Sequence, residues 1–197
     1  VATARRVLAE WGMSEEEMGD LGRLVGPPFP VAFTQVYGMS ADDALEVTTR
    51  YRTEFAKLGD ATHPIFPGIK ELLADARAAG RRVALTSSKT RARALDMLAA
   101  ESMTDLFDAV VCQVDPSRAD KAHLVGDTLA ELGAGASDAV MVGDRFYDVE
   151  GALANGVPCV GVTYGHTSAP GELDRAGAAA VADSVPRLRE LLLGERR

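Results

Sequence analysis

The chain has 197 residues, 47% of them hydrophobic and 25% charged, and carries a formal net charge of −8. That balance fits a globular protein with a sizeable core, and its acidity argues against nonspecific binding to nucleic acid or an anionic membrane. No apolar run approaches the roughly 18 residues needed to cross a bilayer, and the start, with Arg5 and Arg6 and no apolar centre, does not read as a secretory signal.

Residues 1–62 read as helices only. Residues 4–11 have helical apolar spacing and stop at Gly12. Ser14 and Glu17 form a capping box with acidic residues in the first turn. Gly26-Pro27-Pro28 breaks the chain ahead of a helix that runs to Tyr37. Ser40 opens another, whose Ala44, Leu45, Val47, Thr48, Tyr51 and Phe55 recur near helical spacing.

From His63 the pattern changes to alternating helix and strand, giving a second region of residues 63–197. Pro67-Gly68 opens a helix over 69–79. Strands are expected at 82–86, 109–112, 139–142, 158–163 and 178–181. Helices are expected between them at 89–100, 121–132 and 148–155, with a tail helix at 185–193. Apolar strand runs separated by helices imply right-handed crossovers and a parallel sheet covered on both faces. Cys112 and Cys159 lie in two of those strand runs and read as buried free thiols of a reducing, cytoplasmic setting.

In such a sheet, ligands sit at the carboxyl ends of the strands, and the polar residues of this chain gather there. After 82–86 come Thr86, Ser87, Ser88 and Lys89, readable as a phosphate-binding cluster at a helix start or as a plain serine N-cap. Lys121 opens the helix after 109–112, where a cation opposes the macrodipole unless an anion partners it. After 139–142, Gly143 lets the backbone turn, and Asp144 and Asp148 follow. Two carboxylates there suit a hard divalent cation such as Mg2+, or else are the acidic first turn of a helix. A hydroxyl, an ammonium and a carboxylate pair past three successive strands make a phosphoryl-transfer site that lacks a nucleophile. The loop 164–170 also follows a strand end, as a site border or a plain surface loop.

Ser87, Lys121 and the run from Gly143 through Asp144 to Asp148 resemble the second, third and fourth motifs of the haloacid dehalogenase superfamily. Leu24 to Pro28, Tyr51-Arg52, Phe66 to Gly68 and Gly161 to Gly165 look like its phosphoglycolate-phosphatase-type members. The resemblance implies a Rossmann-like α/β core with a small all-helical cap that closes over the site, His63 and Pro64 lying at the hinge. It also implies a Mg2+-dependent phosphatase that acts on a small phosphate monoester through an aspartyl-phosphate. In it Ser87 would bond the transferring phosphoryl group, joined in substrate binding by Ser88, and Lys121 would offset charge. Asp144 would bind the metal, Asp148 would share that role or orient Lys121, and Arg23 of the cap would face the leaving group.

The family's first motif, Asp-x-Asp on the first core strand, is not found upstream of the cap. Asp20, Asp42 and Asp43 sit amid helices with no preceding strand and do not replace it. A strand and loop of roughly 15–20 residues at usual element lengths is expected ahead of Val1 in a complete enzyme, and the 197-residue chain is expected to be inactive. The alternatives are an inactive relative that binds a phosphometabolite, a phosphomutase, or a metal-free dehalogenase. The carboxylate pair argues against the last.

Overall fold

Ser14 and Ser40 open helices as their spacing implies. The Ser14 hydroxyl accepts from Glu17 N at 3.3 Å while the Glu17 carboxylate accepts from Ser14 N at 2.8 Å, and Ser40 accepts from Asp43 N at 3.1 Å. Each cap satisfies amides that the first turn leaves without a partner. The computed structural model describes residues 1–24, 29–57, 65–113 and 120–194, and the chain divides into units Val1–Pro64 and Ile65–Arg197. Gly26 to Pro28, His63-Pro64 and the loop 114–119 lie outside the described residues.

In the first unit all described regular structure is helical: α1 (Ala2–Glu10), α2 (Glu15–Met18), a 3-10 turn (Leu21–Leu24), α3 (Val31–Tyr37) and α4 (Ala41–Ala56). Val7, Leu8, Met18, Phe33 and Val47 are fully buried at its centre. Tyr51 packs on that core, its ring edge-on to Phe29 with centroids 4.8 Å apart. Leu45, expected on the apolar face, is instead 55% exposed. Its neighbour Ala44 takes the inward position, and adjacent helical residues do not face the same way.

The second unit alternates α and β throughout. Its elements are α5 (Ile69–Ala78), β1 (Ala84–Thr90), α6 (Arg91–Ala100), β2 (Ala109–Gln113), α7 (Lys121–Leu132), β3 (Met141–Gly143), α8 (Phe146–Leu153), β4 (Cys159–Val162), α9 (Glu172–Ala176), β5 (Ala180–Ala182) and α10 (Val185–Leu193). Every strand pair is parallel. The helices pack on the strands, α7 against β1 and β2 and α8 against β3 and β4.

Two local differences from the sequence expectation matter for the site. β1 runs on through Ser87, Ser88 and Lys89, so α6 starts at Arg91 with Thr90 as its N-cap. The serines therefore belong to a strand end, with an irregular register between Ser87 and Thr90, rather than to a helix start. In addition, the described strands do not make one sheet. β1 pairs with β2, and β3, β4 and β5 pair in that order, so β1, β2, β3 and β5 each have one unpaired edge among the described strands. β2 and β4 are buried nearly end to end, whereas β1 is only half-buried and Val140, just ahead of β3, is 47% exposed.

Candidate functional site

The ammonium of Lys121 links β1 to α8. Asp120 caps α7 by accepting from His123 N at 2.9 Å, which sets Lys121 at the first helical position. From there its Nζ lies 2.9 Å from Asp148 Oδ1 and 3.5 Å from the Thr86 carbonyl at the end of β1. Asp148 is thus the anion that a cation in this first turn requires. Both side chains are largely removed from solvent, with 15% and 9% of their surfaces exposed. Such a pair holds its geometry well, and each partner depends on the other.

Asp148 is committed on both oxygens. Its Oδ2 accepts from Asp144 N and Arg145 N, each at 3.1 Å, so it ties down the loop that leads into α8 while Oδ1 holds Lys121. Of the two roles expected of it, orienting Lys121 is the one this hydrogen bonding favours, since little lone-pair capacity is left for a cation. Asp144 differs. It is half-buried and forms no ion pair among the described residues, and its Oδ2 accepts from the Thr167 hydroxyl at 2.7 Å. A half-buried carboxylate that forms no ion pair among the described residues is a hard oxygen donor suited to Mg2+. No group of three potential metal-binding side chains occurs among the described residues, so Asp144 would share such an ion with ligands from elsewhere.

The glycines make this packing possible. A Cβ on Gly143 would lie 2.2 Å from Asp148 Cβ, and one on Gly151 would lie 2.6 Å from Lys121 Cγ. Gly143 ends β3 directly before the bend at 144–145 with a φ that is not positive, and it is the close approach that requires a residue without a side chain.

Ser87 lies on β1 opposite Cys112, and its Oγ accepts from Lys89 N at 3.2 Å. Ser88, the next residue, is half-buried. Arg23 belongs to the first unit, where its Nε donates to the Asp20 carbonyl at 3.2 Å.

Three contributors had no individual role assigned from the sequence. Lys89 is electrostatically coupled to the site: desolvation lowers its pKa, the Asp144 charge raises it, and Lys121 and Arg93 lower it further. Thr167 touches Asp144. Glu172 accepts from Arg145 Nε at 2.8 Å, Phe146 N at 3.1 Å and Ala169 N at 3.0 Å. Lys89 and Thr167 had signals, as members of the polar cluster after 82–86 and of a loop after a strand end, and Glu172 had none.

Burial raises the Glu172 carboxyl, but its hydrogen bonds and the Arg145 charge outweigh this and hold it below the usual glutamate value. A lowered folded value contributes stability that is present above the unfolded pKa of about 4.3 and lost as pH falls through the folded one. Urea midpoints should therefore separate the native protein from Glu172→Gln at pH 7 and draw together as the pH falls below the unfolded value and through the folded one. A constant separation across that range would count against the assignment.

Both cysteines are buried free thiols. Burial, reinforced by the nearby Asp148 charge, pushes Cys159 up to about 12, which makes it inert as a nucleophile.

A family model described as haloacid dehalogenase-like hydrolase matches residues 1–162. A 5'-nucleotidase of Pseudomonas aeruginosa is 33% identical over 162 residues, which is 82% of this chain and 73% of that protein. Tyrosine-protein kinase PtkA of Mycobacterium tuberculosis is 34% identical over 197 residues, and the match spans 98% of this chain but only 66% of PtkA. Among solved structures, a predicted phosphatase from Clostridium acetobutylicum superposes with a TM-score of 0.89 at 29% identity, covering 98% of this chain and 90% of the other.

Proposed function

Because the chain belongs to the haloacid dehalogenase-like hydrolase family, as a phosphoric monoester hydrolase by kind, we propose that it serves a Mg2+-dependent phosphatase acting on a small phosphorylated metabolite. The observation that carries this reading is the Lys121 ammonium, held between Thr86 O and Asp148, with Asp144 at the start of the loop that Asp148 ties down and in no ion pair among the described residues. A phosphate dianion can meet an attacking carboxylate only where fixed positive charge cancels their repulsion.

Each residue then has a task. The Ser87 hydroxyl donates to an oxygen of the transferring phosphoryl group, and Ser88 lies beside it to contact substrate. Lys121 balances the charge of phosphate and nucleophile, and Asp148 keeps Lys121 in place. Asp144 holds Mg2+, which when bound offsets the remaining phosphate charge.

The attacking carboxylate comes from a further parallel strand between β1 and β3. The unpaired edges of those strands, the half-burial of β1 and the exposure of Val140 support this, since a central strand left open exposes backbone and apolar surface. Substrates in keeping with the relatives are a nucleoside monophosphate, a phosphoglycolate-like acid or a sugar phosphate. The two free buried thiols agree with a cytoplasmic location.

The test compares the 197-residue chain with a form that carries the residues encoded ahead of Val1. The longer form should release phosphate from p-nitrophenyl phosphate with Mg2+ and stop on chelation, while the shorter form should show no turnover. An inactive longer form, or equal turnover by the shorter one, overturns the proposal. The second reading, a protein that binds a phosphometabolite without turnover, would be supported if a phosphate monoester stabilised the 197-residue form and was recovered unhydrolysed.

A further inference from the structure

Asp148 is held by Lys121 and by two amides of the loop that leads into α8, whereas the Asp144 carboxylate is held from a different part of the unit. Thr167 lies between β4 and α9, and its hydroxyl is 2.7 Å from Asp144 Oδ2 and 3.5 Å from the Asp144 carbonyl. One hydroxyl carries one proton, and the shorter contact has the length of a good O–H···O⁻ bond. A carboxylate so held has one oxygen committed and its rotation stopped. Its other oxygen is left at a fixed place.

The loop that carries Thr167 is itself braced against the site. His166, directly before it, takes the left-handed conformation with φ 53° and is hydrogen-bonded through its amide to Thr163 O at 2.9 Å. That conformation is uncommon for a residue other than glycine. Glu172, the first residue of α9, then bridges the two loops. One oxygen takes Arg145 Nε and Phe146 N from the Asp144 loop, and the other takes Ala169 N from its own. Both ends of the bridge are largely out of solvent, with 10% of the Arg145 side chain and 14% of the Glu172 side chain exposed.

We infer that Thr167 is a positioning residue that orients the Asp144 carboxylate for its cation, and that Glu172 is the strut keeping the Thr167 loop in register. The inference rests on the reading of Asp144 as a cation ligand. A ligand carboxylate with a fixed rotamer binds without losing freedom at that step, and partners of this kind are typically worth 10–100-fold in metal affinity.

Mn2+ titration followed by electron paramagnetic resonance of the free ion tests this without turnover, using the form that carries the residues ahead of Val1. The unmutated protein should bind saturably and Asp144→Asn should not. Thr167→Val, similar in shape but without a donor, should weaken binding about tenfold, and Thr167→Ser should restore it to within about twofold. Thr167→Ala, which opens space instead of filling it, should match valine and covers the case in which valine disturbs folding. Glu172→Ala should weaken binding in the same direction. Native affinity in both Thr167→Val and Thr167→Ala, or no rescue by serine, overturns the inference while leaving Asp144 as a ligand. Absence of binding by the unmutated protein overturns the reading of Asp144 itself, and the two failures are told apart by the protein in which they appear.

Discussion

Lys121→Met is expected to abolish function and to destabilise the fold. In the form carrying the residues ahead of Val1, phosphatase turnover should fall by about a thousandfold, in line with the loss of a preorganised charge facing the transition state. Methionine has a similar length and shape, so packing beside Gly151 is kept while the charge is lost. The stability cost arises because Asp148, 7% exposed, then stays ionised without its cation. Breaking one side of a buried pair costs about 3–5 kcal/mol, and the two amides on Asp148 Oδ2 place this case toward the lower figure. Urea denaturation of the 197-residue form measures that cost independently of catalysis. Lys121→Met combined with Asp148→Asn should recover much of the stability, because the amide oxygen still accepts from Asp144 N and Arg145 N and no charge is stranded. Activity should not recover. Full stability in Lys121→Met alone would show that the 2.9 Å pair is not the contact described above.

How much of this site was legible in the sequence follows from what each residue needs. α7 begins at Lys121 and ends at Leu132 as its spacing implies, and α10 spans Val185–Leu193 as expected. In each, the cap and the apolar period are local signals. Strand ends were less legible. β1 continues four residues beyond its apolar run, through Ser87 to Thr90, because Ser87 pairs with Cys112 and Thr90 with Gln113 on either side of an irregularity at Ser88 and Lys89. Tertiary pairing overrides side-chain preference in strands. The polar partners were the least legible. Lys121, Asp144 and Asp148 stood out through their positions after strands, but Thr167 and Glu172 act across 23 and 27 residues of sequence. No local pattern encodes a contact of that span. The α9 helix that presents Glu172 is five residues long, too short to leave an apolar period.

The second large effect is expected at Gly143, where space decides the outcome. An alanine Cβ there would lie 2.2 Å from Asp148 Cβ, 2.6 Å from Cγ and 2.7 Å from Oδ2, well inside van der Waals contact. Asp148 sits in the first turn of α8, with its backbone fixed by Asp148 N to Arg145 O at 3.0 Å, so the side chain cannot simply swing away. Either β3 moves from α8 or the carboxylate abandons Lys121 and the two amides it accepts from. Overpacking of this kind costs about 1–3 kcal/mol, and a displacement near 1 Å in the residue that orients Lys121 should lower turnover by about a hundredfold. Gly165→Ala is the control. Its Cβ would meet the Phe66 ring at 3.6 Å, an ordinary contact, and its φ lies outside the left-handed region. That variant should shift the urea midpoint little, within about 0.5 kcal/mol as for substitutions away from such features. Gly143→Ala at native stability and native turnover would mean that the β3–α8 approach is looser than 2.2 Å implies. Lost turnover with a native midpoint would instead place the accommodation in the Asp148 side chain, separating the steric cost from the loss of the Lys121 contact.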